Sequence, residues 1–181
     1  MDIATELYER VLQAYQQGDL TQAERGCWEL LQQQPFDARG IHLLGVLALD
    51  RNQPLLAVHR LQHACLLAPQ DAAYQHALGE GLRSLGRSQQ AWQALQRAVQ
   101  LDPLHFAAWN SLGLAQFDLG QTEAAATSFR TSINIRPEYS RAHNNLGRAL
   151  QKLQDLPAAA ACFAEAVRLK PDYAIAYNNL G

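Results

Sequence analysis

Hydrophobic and small residues return along this chain in a fixed phase. Leu44, Leu78, Leu112, Leu146 and Leu180 are each followed by a glycine, and each interval is 34 residues. Ala23, Ala57, Ala91, Ala125 and Ala159 keep the same step, as do Pro35, Pro69, Pro103, Pro137 and Pro171. Several columns sharing one phase mark an internal repeat, and a step of this size suits one helix–turn–helix unit. Short polar breaks separate the apolar stretches: Gly18-Asp19, Asn52-Gln53-Pro54, Gly86-Arg87-Ser88, Gly120-Gln121-Thr122 and Gln154-Asp155-Leu156-Pro157. Glycine or asparagine just past a helix end takes the left-handed conformation that releases the chain. Pro54 and Pro157 suit the first turn of the helix that follows, where the missing N–H is not needed. Thr21-Gln22-Ala23-Glu24 reads as a capping box opening the second helix.

Counted back from each proline, the repeats run over 4–37, 38–71, 72–105, 106–139 and 140–173, and a sixth begins at Ala174 and stops at Gly181. Residues 1–181 thus read as one array with no linker or second domain. Each repeat is expected to hold a helix A, a turn, a helix B and a proline-marked exit. The leucine column should face the neighbouring helix B, and the glycine after it should let the two helices approach closely. Gly113 and Ala125 are expected to face each other at such a crossing. The first repeat departs from the pattern, with Arg10-Val11 in place of Leu-Gly and Cys27 in place of Phe129. It reads as an end cap, which needs a polar outer face. At the other end Asn178-Asn179-Leu180-Gly181 repeats Asn144-Asn145-Leu146-Gly147. The chain therefore reads as cut inside a repeat of a longer protein. So short a helix must dock Tyr177 and Leu180 on the fifth repeat or fray, and self-association through this open C-terminal end is expected.

The stretch from Phe106 to Gly147 carries the most complete form, with Trp109-x-x-Leu112-Gly113, Ala125, Phe129 and Pro137. It resembles the tetratricopeptide repeat family, whose period is about 34 residues, and the resemblance covers almost the whole chain. The fold it implies is all-α, a right-handed solenoid in which helix A of each repeat lines a concave face where peptides lie. One helix-A column reads Tyr8, His42, His76, Asn110, Asn144, Asn178; the next reads Glu9, Leu43, Ala77, Ser111, Asn145, Asn179. Asparagine just before Leu-Gly is similar to the asparagine ladder of O-GlcNAc transferase-like superhelices, where successive side chains hold a peptide's main chain. Asn145 and Asn179 match that position, while Ser111 and Ala77 do not. A carboxamide offers both a donor and an acceptor, as a peptide bond requires.

The peptide-binding candidates implied in this way are Asn110, Asn144, Asn145, Asn178 and Asn179, joined by Arg83, Phe117, Arg141 and Arg148 from where helix A should face. The competing reading is that an asparagine on helix A braces the neighbouring helix or merely faces water. A second mode of this family grips a C-terminal carboxylate with cations and asparagine from three repeats. It fits poorly, because only Arg141 suits it and Glu80 has the wrong sign.

Hydrophobic residues make up 48% of the chain, enough for a continuous core and too many for disorder. A net charge of −2 gives no overall attraction to phosphate backbones, so nucleic acid is not an expected partner. No apolar run approaches the roughly 20 residues that span a bilayer. The start Met1-Asp2-Ile3 lacks the form of a secretory signal. Cys27, Cys65 and Cys162 lie in three different repeats and read as reduced thiols filling small core spaces, which points to the cytoplasm. His59 and His63 stand four residues apart, but no Glu-x-x-His or cysteine completes a metal site. No phosphate loop, paired-cysteine motif or nucleophile elbow is present, so neither a catalytic residue nor a cofactor is expected. These readings converge on a non-catalytic protein-interaction scaffold that binds an extended peptide or a partner helix. The alternative is the N-terminal substrate-recognition arm of a larger modifying enzyme, of glycosyltransferase or sulfotransferase type.

Overall fold

The computed structural model describes residues 3–180, with side chains over residues 4–179. Among the described residues there are eleven α-helices and no strand: α1 (Ile3–Gln16), α2 (Leu20–Gln33), α3 (Ala38–Asp50), α4 (Pro54–Leu67), α5 (Ala72–Ser84), α6 (Ser88–Leu101), α7 (Phe106–Asp118), α8 (Thr122–Ile135), α9 (Ser140–Lys152), α10 (Leu156–Leu169) and α11 (Ala174–Leu180). The chain divides between Gly86 and Arg87 into two compact units. The first holds α1 to α5 and the second α6 to α11.

The turns follow the chemistry of their residues. Gly18, Gly86 and Gly120 adopt φ values of +81°, +70° and +78°, and Asn52 and Gln154 take the same left-handed role at 55° and 64°. Pro54 opens α4 and Pro157 stands in the first turn of α10. The expected capping box at Thr21 is replaced by a simpler cap. Helix α2 already begins at Leu20, and the Asp19 carboxylate accepts from the backbone N–H of Gln22. Asp19 lies two positions nearer the tight turn, so it reaches the free amides first and leaves Thr21 inside the first turn. Asp37, Asp71 and Asp155 cap α3, α5 and α10 in the same way.

Close packing inside the hairpins depends on glycine, and the nearest group to it is a large side chain of the B helix. A Cβ on Gly113 would lie 2.5 Å from Cε1 of Phe129, and one on Gly147 would lie 2.5 Å from Cε1 of Phe163. The ring of the B helix therefore lies over the glycine, while Ala125 is fully buried beside it. A side chain covers the surface over the turn N-terminal to its own Cα, which carries the Phe129 ring back toward Gly113. In the first unit Leu61 takes this place over Gly45. The first hairpin inverts the arrangement. Val11 fills the glycine position, and Gly26 on α2 makes room for it, since a Cβ there would meet Val11 Cγ2 at 2.5 Å.

Each unit has its own core. In the first, Val11, Ala14, Ala23, Cys27, Leu43, Leu44 and Leu47 form one buried cluster across α1, α2 and α3. In the second, Ala125, Ala126 and Phe129 of α8 join Leu146, Ala149 and Leu150 of α9 and Ala159 and Phe163 of α10. That cluster packs α9 firmly against α8 and α10. At the C-terminal end Ala176 is buried but Tyr177 is half exposed; the expected docking of Leu180 concerns a side chain outside the described residues.

Candidate functional site

Helices α7, α9 and α11 are the A helices of the second unit, and they bring most of the sequence candidates together. Asn110, Asn144 and Asn145 are only 5%, 2% and 8% exposed, so each needs a hydrogen-bond partner. They find it in one another. Asn145 Nδ2 donates to Asn110 Oδ1 at 2.9 Å, and Asn179 Nδ2 donates to Asn144 Oδ1 at 2.9 Å. Each bond crosses from one A helix to the next with a sequence separation of 35. The two asparagine columns thus pair diagonally, the second column of one repeat with the first column of the repeat before. Asn179 is half-buried and Asn178 is exposed.

Beside this row stands an aromatic and cationic patch. Phe117, near the end of α7, is half-buried and packs against the core cluster of α8, α9 and α10. The guanidinium carbon of Arg148 lies 5.2 Å from its ring centroid and Lys152 Nζ lies 4.8 Å from it. Arg141, on the same helix, is exposed. Lys152 is the member that sequence reading missed. Its signal was its place four residues after Arg148, which puts both on one helix face. Arg83 sits half-buried on α5 in the first unit.

Other candidate groups read as structural. Trp109 Nε1 donates to the carbonyl of Pro103 at 2.9 Å, and the ring of His143 meets the carbonyl of Pro137 at 2.8 Å, the same contact one repeat later. Ser132 donates to the carbonyl of Phe106 at 2.8 Å and ties α8 to the start of α7. In the first unit His42 stacks on Tyr74, with ring centroids 4.3 Å apart and planes 20° apart. Burial pushes its pKa down to about 4. Burial likewise raises the thiols of Cys27 and Cys65 to about 12 and about 11, which leaves them protonated and unreactive at neutral pH. His59 and His63 are exposed. Among the described residues no cluster of three histidine, cysteine, aspartate or glutamate side chains is arranged to hold a metal ion. None of the described helices is long and apolar enough to cross a membrane.

Consecutive helical hairpins with a ring-over-glycine crossing and inter-repeat contacts between A helices define a helical-repeat protein of solenoid type. Tetratricopeptide repeat models match residues 76–143 and 140–173, together more than half of the chain. The chain belongs to the tetratricopeptide repeat family. No curated protein matches the sequence. Among solved structures, MamA is 25% identical with a TM-score of 0.75, the match covering 96% of this chain and 98% of that one. PilF of Pseudomonas aeruginosa is 18% identical with a TM-score of 0.81, covering 97% of this chain and 88% of its own. YrrB, described as a TPR protein with an unusual peptide-binding site, is 19% identical with a TM-score of 0.73 over 95% of this chain and 89% of its own. The fold class is accordingly the all-α tetratricopeptide solenoid, and none of these matches names a catalytic family.

Proposed function

We propose that the chain is a non-catalytic protein-interaction scaffold, and that the face formed by α7, α9 and α11 receives an extended peptide or a partner helix. The observation that carries this reading is the half-exposed ring of Phe117, flanked by Arg148 and Lys152 and held from behind by the core. A rigid aromatic anchor with polar groups around it is the usual make-up of a recognition surface. The carboxamide row beside it is locked by its own hydrogen bonds, so the surface is organised before a ligand arrives, and less ordering cost falls on binding. The peptide-binding site attributed to YrrB supports the reading as an instance on the same fold. Asn110, Asn144, Asn145, Asn178 and Asn179 serve in it as wall and brace, with the exposed Asn178 the freest to reach a ligand main chain.

Peptides selected from a random displayed library against the whole chain provide the test. Phe117→Leu keeps the packing toward the core and removes the ring, and it should weaken selected peptides by about tenfold, the order of a partly desolvated aromatic contact. Unchanged affinity for every selected peptide would place recognition elsewhere.

A further inference from the structure

The ligand chemistry of this face is legible in its charges. Arg148 and Lys152 stand four residues apart on α9, both over the ring of Phe117. Like charges at this spacing repel and weaken an isolated helix. Elsewhere some of the described cations meet acids: Arg39 pairs with Asp37, Arg51 with Glu24, Arg136 with Glu138 and Arg168 with Glu165. Among the described residues neither Arg148 nor Lys152 forms an ion pair. The quadrupole of an aromatic ring attracts a cation but brings no charge. Two positive charges are therefore held over a ring packed against the core, with no ion-pair partner among the described residues. Exposed Arg141, likewise without an ion pair, extends the row along α9.

We propose that this patch binds the carboxylate side chains of an acidic peptide, with two acids spaced one residue apart in an extended segment. The proposal rests on the reading of this face as a peptide receptor and adds the class of peptide. The helical rise separates Arg148 and Lys152 by about 6 Å along the axis. Residues i and i+2 of an extended chain are separated by nearly the same distance and point to the same side. A segment of the form Glu-x-Glu therefore matches the pair, and an apolar side chain next to it falls on Phe117.

The probe is the peptide Ser-Leu-Glu-Ala-Glu-Leu-Ser, acetylated and amidated so that it has no terminal charge. Its twin has glutamine at both acidic positions, and a third peptide is that twin with a free C-terminal carboxylate. Titration of the whole chain at low salt should favour the glutamate peptide over its twin by on the order of tenfold, the combined effect of two partly exposed ion pairs. The preference should shrink as salt shortens the screening length. Arg148→Gln with Lys152→Gln should bring the preference to within twofold, while Arg168→Gln, a cation already paired with Glu165, should leave it intact. Both replaced cations are exposed, and a thermal melt of the double variant verifies that it folds. Equal binding of the glutamate and glutamine peptides overturns the acidic specificity and leaves the receptor reading standing. Preference for the free C-terminal carboxylate alone overturns it as well, as does equal loss in Arg168→Gln, which would trace the effect to overall charge. No binding of the glutamate peptide at millimolar concentration also overturns it.

Discussion

His42 lies flat against Tyr74, and its burial has a consequence for stability. Its folded pKa, about 4, lies below the ordinary value near 6.5. Between those values the unfolded chain holds a proton that the folded chain refuses, so stability rises with pH across the window. Acidification from about pH 6.5 toward 4 should cost up to about 1.4 kcal/mol per pH unit from this group. Urea titrations at several pH values read the slope, and His42→Phe, which keeps the stacking, should lose this part of it. An unchanged slope would show that the ring is free to protonate in place. The small residues make a second prediction. Gly113→Leu must displace the Phe129 ring, which is 1% exposed, and overpacking of this kind costs about 1–3 kcal/mol. A thermal melt identical to that of the parent would mean that the ring does not lie on Gly113.

Between helices, the carboxamide pairs act as rungs. Removing Asn145 leaves Asn110 buried and without the N–H that it accepts, and an orphaned buried polar group costs about 1–3 kcal/mol. Asn145→Ala should therefore lower the stability of the second unit in the absence of any peptide. A variant with unaltered stability would reduce the rung to a surface contact. Helix order, turn positions and the two prolines at helix starts were all legible in the sequence, because each follows from a local preference of glycine, asparagine, aspartate or proline. The diagonal pairing was not. Each asparagine column was visible, but which rung meets which depends on the stagger between neighbouring A helices, a quantity that no single repeat contains. The same limit explains Gly113 and Phe129. Residue spacing marks both as tightly packed, yet side-chain direction decides that the Phe129 ring makes the nearest contact to the glycine. Lys152 went unnoticed because its importance depends on a ring in the preceding repeat.

At the scale of the molecule, the second unit presents Leu156, Ile175 and Tyr177 at 56%, 59% and 48% exposure. Apolar groups presented in this way favour association, and sedimentation over a wide concentration range should show dimerisation that Ile175→Lys abolishes. A strict monomer at high concentration would show that these side chains do not hold a second copy. Whether α7, α9 and α11 receive a peptide is read by mapping a selected peptide on the isotope-labelled chain with amide chemical shifts. Saturating peptide should move the resonances of Asn110 to Asp118, Arg141 to Lys152 and Asn178, with α8 and α10 largely unmoved. Shifts concentrated instead on the outer faces of α8 and α10, with Phe117 and Arg148 silent, would contradict it.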